Sequence, residues 1–197
     1  MYSYAKLTAA IVYAAEAHKH QRRKADDSAY ICHPLRVMNI LSCGLTDDKE
    51  VLCAAVLHDV VEDTDVTISD VFDRFGEEVA EMVAEVTDDR SLSKAERKRA
   101  QVEKMKTASK GAQMIKLADK IDNCKDLIKQ VPPGWTKERV QGYFVWCRAV
   151  VANMKDVLTA LVDYFNDVCS LDVADGYPAL PDGDHAEFLE RYYASMQ

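Results

Sequence analysis

The chain has 197 residues, with 25 Lys and Arg against 33 Asp and Glu, a formal net charge of −8. That length suits one domain with a short appendage, and the acidic balance argues against a protein that coats nucleic acid or an anionic membrane, because phosphate surfaces reward positive charge. The six cysteines, at 32, 43, 53, 124, 147 and 169, form no C-x-x-C pair. With no apolar leader and no long apolar run, they predict a reduced, cytoplasmic protein with buried thiols.

The pattern reads as helix after helix. Residues 5–19 are alanine-rich, with Leu7, Ile11, Val12 and Ala15 at helical spacing. A polar connector follows, opening on Arg22, Arg23 and Lys24. Pro34 is placed as the first residue of a second helix that runs to about 43, with Gly44 as its stop. That puts His33, the residue before proline, at the N-cap. A third helix is expected over about 47–63. Thr67 caps a short fourth that ends at Phe75-Gly76, and a fifth covers about 77–87. Ser93-Lys94-Ala95-Glu96 is a capping box for a sixth, to about 108. Gly111 precedes a seventh, which Pro132-Pro133-Gly134 ends after about 130. Thr136 caps a long aromatic helix to about 165, with a break near Val151–Asn153. Residues 171–184 are loop-like, and a short terminal helix follows. Nothing alternates as a strand does, so the fold class is all-α, with a domain over 1–168 and a C-terminal loop and helix over 169–197.

No glycine loop of the phosphate-cradling kind and no G-x-S-x-G is present, which argues against the common nucleotide folds and α/β-hydrolases. The strongest signal lies in the third helix, VLCAAVLHDVVEDTD from Val51. Its apolar stripe Val51, Ala54, Ala55 continues into His58 and Glu62, with Asp59 and Asp63 as a second pair four residues apart. Imidazoles and carboxylates on an apolar face are costly unless partnered. The plainer reading, a solvated helix end with one packed histidine, is weakened by the seven apolar residues before it. The seventh helix, AQMIKLADKIDNCKDLI, sets Asp119 beside its core face with Asn123 one turn on; a surface acid paired with Lys116 or Lys120 is the alternative. At an N-cap His33 is favoured as the neutral ring. Together His33, His58, Asp59 and Asp119 suit a divalent transition ion, Mn²⁺, Fe²⁺ or Zn²⁺, inside a helical bundle. Glu62, one turn from His58, is placed to orient or deprotonate a water.

The order H…HD…D resembles the HD-domain metal phosphohydrolases. HKHQRRK, YICHP, LHDVVEDTD, FGEEVAEMVAEVTDD, KAERKR, KLADKIDN and PGWTKERVQGYFVW narrow the resemblance to the small alarmone hydrolases, the stand-alone hydrolase branch of the RelA/SpoT family that includes the metazoan SpoT homologue. It covers about residues 5–150. It implies a helical HD-domain bundle in which His33, His58, Asp59 and Asp119 hold one Mn²⁺ and Glu62 and Asp63 are the catalytic acids that position water. It also implies that Asn123 lies beside the nucleotide, that Arg22 and Lys24 form a basic entry, and that Lys94, Arg139 and Tyr143 line the outer pocket. Ala29 stands where the family usually has proline, and Asp122 where an acid is unusual.

The basic residues are unevenly spread. Arg90 to Lys106 holds seven of them, a cationic island able to draw in a polyphosphate, although several also have acidic helix partners. Arg139 and Tyr143 share one helix face. The resemblance implies removal of the 3′-pyrophosphate from guanosine 3′,5′-bis(diphosphate) or the pentaphosphate. The partner is then a small nucleotide, with no nucleic acid and no membrane. Two alternatives stand beside it: the same site acting on (p)ppApp or the 2′-phosphate of NADPH, and a nucleotide sensor that does not cleave.

Overall fold

The computed structural model of the protein describes residues 3–43 and 45–196. In chain order the helices are α1 (Ser3–Ala17), α2 (Cys32–Ser42), α3 (Lys49–Leu57), α4 (Val60–Asp63), α5 (Ile68–Phe75), α6 (Glu77–Val86), α7 (Lys94–Lys104), α8 (Lys110–Lys129), α9 (Lys137–Ala152), α10 (Thr159–Cys169) and α11 (His185–Ala194). The fold is all-α. A two-residue antiparallel ribbon, β1 (Asp172–Val173) with β2 (Tyr177–Pro178), occupies the segment expected to be loop. Gly44, expected to stop the second helix, lies outside the described residues.

The chain divides into two compact units. One comprises Met1–Arg23, Asp27–Thr87 and Ala108–Asp119; the other comprises Lys24–Asp26, Asp88–Thr107 and Lys120–Gln197. In the first, α3 is the central element. Every residue from Val51 to Leu57 is buried, and α1, α2 and α6 pack around it. A helix apolar all round is stable only when covered on all sides. In the second unit α9 has that place, burying Val140, Phe144, Val145, Cys147 and Val150, with α7 and α11 packed against it. The C-terminal helix is therefore part of this unit's core, through Tyr192 and Tyr193.

Local signals set several boundaries. Thr67 and Asp70 form a capping box at the start of α5, and Ser93 and Glu96 form another at α7. The long aromatic helix breaks where expected, at the end of α9.

Three expectations need correction. The third helix is not continuous: it stops at Leu57 and resumes at Val60. The cause is His58, whose Nδ1 lies 2.8 Å from the carbonyl of Ala55, the acceptor that the amide of Asp59 would use in an unbroken helix. His33 is not an N-cap but the second residue of α2, with Ile31 at the cap. Pro34 is then the third helical residue, where its missing N–H is one of the orphans of a first turn. Gly111 lies inside α8, not ahead of it. A Cβ there would meet Met82 Sδ at 2.4 Å and Val51 Cγ2 at 3.2 Å, so glycine allows α8 to lie close against α3 and α6.

Candidate metal centre and active site

The first unit gathers the two histidines. His33 comes from the first turn of α2, His58 from the turn between α3 and α4, and Asp119 from α8. Side-chain burial is near complete: His33 and His58 are each 1% exposed and Asp119 6%. One ligand atom from each of the three lies within 4.8 Å of the others. His33 Nε2 is 3.2 Å from Asp119 Oδ1 and 3.6 Å from Asp59 Oδ2. His58 Nε2 is 3.1 Å from Asp59 Oδ2 and 3.9 Å from Asp119 Oδ1. Asp59 thus stands against both imidazoles, beside the tighter set of three. Asp119 is a buried group, which excludes the surface-acid reading. Lys116, itself buried, reaches its second oxygen at 3.9 Å.

The histidine tautomer decides what this cluster can hold. Because the carbonyl of Ala55 can only accept, His58 Nδ1 carries the proton. Nε2 points toward Asp59 Oδ2 and Asp119 Oδ1, and it makes no hydrogen bond among the described residues. In the neutral tautomer with the proton on Nδ1, Nε2 would carry a lone pair facing two carboxylate oxygens in a buried space, acceptor against acceptor. Such a set needs positive charge at its centre. Two imidazoles with carboxylates fit a divalent cation, and a backbone-held Nδ1 is the usual way a ligating ring is oriented.

Glu62 and Asp63 lie at the end of α4, half-buried. Asp63 is joined to the cluster by Tyr30, whose hydroxyl is 2.7 Å from Asp59 Oδ2 and 3.0 Å from Asp63 Oδ2. Burial, followed by the charges and hydrogen bonds of the same two carboxylates, drives the Tyr30 phenol far above its ordinary value. Burial tends to raise the Asp59 carboxyl as well, but His58 and then His33 outweigh it and hold Asp59 below the usual carboxylate range. Tyr30 was not singled out by spacing. Its only sequence signal is its place in YICHP, three residues before His33.

The connector carrying Tyr30 is stitched to itself. Arg22 pairs with Ala29 in an isolated antiparallel bridge. Arg23 N–H donates to Ser28 O at 2.9 Å, and Tyr30 N–H to Gln21 O at 3.1 Å. Alanine in place of the family's proline therefore sits in an ordered loop. Arg22 is exposed here, and the Arg23 guanidinium lies 5.7 Å from the centre of the Tyr30 ring.

The second unit holds Lys24, Lys94 and Arg139. Desolvation, then the charges of Arg139, Lys24 and Arg97, lower the Lys94 ammonium, so these four cations are electrostatic neighbours. Arg139 stacks on Trp135 at 4.1 Å, and Tyr143 packs against Trp135 and Trp146 at 6.1 and 5.3 Å. Lys98 and Lys120 flank Trp146 at 3.2 and 4.1 Å. Lys24, Lys94, Arg139 and Tyr143 are candidates from sequence and Lys98 belongs to the cationic island, whereas the stacking of Trp135 on Arg139 and of Trp146 between Lys98 and Lys120 has no sequence signal. Asn123 is half-buried on α8, and Asp122 is buried.

The HD domain family matches residues 10–144 of this sequence. The chain belongs to the HD-domain family. Among HD-domain proteins, it is 49% identical over 156 residues to the guanosine-3′,5′-bis(diphosphate) 3′-pyrophosphohydrolase MESH1 of Drosophila melanogaster, covering 78% of this chain and 87% of the relative. It is 48% identical over 154 residues to the human protein of the same name, covering 77% and 86%. A solved HD-domain structure, described as a metazoan orthologue of SpoT that hydrolyses ppGpp and plays a role in starvation responses, superposes with a TM-score of 0.80. It shares 46% identity and covers 83% of this chain and 93% of the other.

No described residue of this HD-domain protein is in a disulfide. Cys53, Cys124, Cys147 and Cys169 are buried. No helix among the described residues is long and apolar enough to cross a membrane.

Proposed function

We infer that the protein is a metal-dependent 3′-pyrophosphohydrolase of guanosine 3′,5′-bis(diphosphate) and its pentaphosphate. One water is consumed, the bond between the ribose 3′-oxygen and pyrophosphate is replaced, and GDP or GTP leaves with pyrophosphate. The observation that carries this reading is the His58 ring, held through Nδ1 at the Ala55 carbonyl and presenting Nε2 to the carboxylates of Asp59 and Asp119 beside His33. The kinship with proteins named for this reaction supports the substrate.

The residues divide by task. His33, His58, Asp59 and Asp119 hold one Mn²⁺. A divalent cation supplies Lewis-acid polarisation of the phosphoryl group and lowers the pKa of a water it binds. Glu62 takes the proton from the attacking water and Asp63 orients it; both stand within five residues of His58 and Asp59 in the chain. Lys24, Lys94 and Arg139 neutralise phosphate charge, while Tyr143, Arg22 and Asn123 hold the nucleoside. The gathering of Lys24, Lys94, Arg97 and Arg139 supports the phosphate assignment, because packed like charges are relieved by a bound polyanion. The reduced cysteines suit a cytoplasmic enzyme.

Anion-exchange separation of products from ppGpp, with Mn²⁺ and after chelation, tests this reading. GDP and pyrophosphate should form only with Mn²⁺. Intact ppGpp after incubation with Mn²⁺ rejects it, and faster turnover of ppApp or NADPH at equal concentration reassigns the substrate.

A further inference from the structure

We propose that Tyr30 is a positioning residue whose hydroxyl ties the carboxylate of Asp63 to that of Asp59, holding the water-orienting acid in register with the metal site. The proposal rests on the reading of Asp63 given above and adds to it a device that fixes Asp63 in place. The Tyr30 hydroxyl has one proton and two carboxylate oxygens within reach, at 2.7 and 3.0 Å. That shared proton lowers the repulsion between two acids that would otherwise turn apart.

The brace closes on itself. The backbone carbonyl of Asp63 accepts a hydrogen bond from Gln21 Nε2. Gln21 Oε1 accepts from His18 Nδ1 at 2.7 Å, a direction fixed because the amide oxygen can only accept. The buried His18 ring packs on the Tyr30 ring at 4.8 Å. Tyr30 also meets the His33 ring edge-on at 6.0 Å. Asp63 is thus held at its carboxylate by Tyr30 and at its carbonyl by Gln21, while His18 joins the two supports. A tyrosine placed only to fill space would not need its hydroxyl between two acids; a phenylalanine would serve.

Tyr30→Phe keeps the ring and removes the hydroxyl. It should lower kcat about 10- to 100-fold with KM within about two-fold, the usual cost of losing an orienting partner outside the metal's own ligands. Calorimetric titration of the substrate-free protein with Mn²⁺ should show Kd raised about ten-fold, because Asp59 loses its partner. In an Asp63→Asn background the same substitution should cost nothing further in kcat. An unchanged kcat in the otherwise native chain, or equal losses in both backgrounds, overturns the proposal. An unchanged Mn²⁺ Kd overturns its Asp59 arm. If Asp63→Asn alone keeps full activity, the reading of Asp63 fails, a result distinct from failure of Tyr30. Should Tyr30→Phe not fold by circular dichroism, Gln21→Met tests the same brace from its other end. Loss of kcat at constant KM supports the brace, and native kcat refutes it.

Discussion

A buried imidazole is set by what its two nitrogens meet. At His58 the Ala55 carbonyl takes the Nδ1 proton, and Nε2 is left facing acid oxygens. His33 approaches the same oxygens from α2. The consequence belongs to single residues: His58→Ala should lose both turnover and Mn²⁺, with Kd weakened at least about 100-fold. Calorimetry and steady-state assay on one preparation check it; a variant that binds Mn²⁺ normally contradicts the ligand assignment. Phosphate contacts should behave differently. Lys94→Ala should raise KM several-fold while Mn²⁺ affinity stays native, since Lys94 is an electrostatic neighbour of Lys24, Arg97 and Arg139.

Elements are fixed by their ends and by their closest approaches. In both capping boxes an ionised acid accepts hydrogen bonds: Asp70 from Thr67, and Glu96 from Ser93. Side-chain and backbone hydrogen bonds of Thr67 hold Asp70 below its ordinary value, and those of Ser93, side chain first, do the same for Glu96. The folded chain therefore binds fewer protons here than the unfolded chain. This stabilisation is complete above the ordinary carboxylate range and disappears as pH falls through the lowered folded values. Thermal melts from neutral pH to about pH 2.5 should show Thr67→Ala and Ser93→Ala destabilised near neutrality, with the gap from the native chain closing in acid. At the other extreme, α9 and α11 touch through Gly142. A Cβ there would stand 2.2 Å from Tyr192 Cδ2 and 3.0 Å from Tyr192 Cβ. The tyrosine cannot swing clear of its own Cβ, so Gly142→Ala should cost about 1–3 kcal/mol by overpacking, measured by urea unfolding.

For the molecule as a whole, charge and core point to separate roles. A net charge of −8 repels an anionic substrate at long range, while the cations around Lys94 attract it locally. Salt screens both, but the local attraction is what binding uses. Raising ionic strength from about 0.05 to 0.5 M should therefore raise KM several-fold with little change in kcat. The cores of both units are apolar, built on α3 in one and α9 in the other. Chelation should abolish turnover yet leave the helical circular-dichroism spectrum native, with a lowered thermal midpoint because bound metal favours the folded state. A spectrum that collapses on chelation would show that the cation, and not the core, holds the fold.

Much of this was legible in the chain. Helix positions follow from apolar spacing and from Thr67, Ser93 and Thr136, because caps and periodicity act within a few residues. His58 stands out because polar groups on an apolar face need partners, Asp59 by its pairing with Asp63, Asp119 by its place beside a core face, and His33 by its place before Pro34. Three things left no mark in the spacing of residue types. The break at His58 accompanies a side-chain contact with the Ala55 carbonyl three residues back, Gly111 stands where α3 and α6 come close against α8, and Tyr30 reaches Asp59 and Asp63 across about thirty residues of chain. Sequence by itself determined which residue types are present and where caps such as Thr67, Ser93 and Thr136 open their helices, since those forces are local. Only the tertiary structure decided which nitrogen of His58 faces the acids and which hydroxyl joins them, since through-space hydrogen bonds leave no periodic trace in the order of residues.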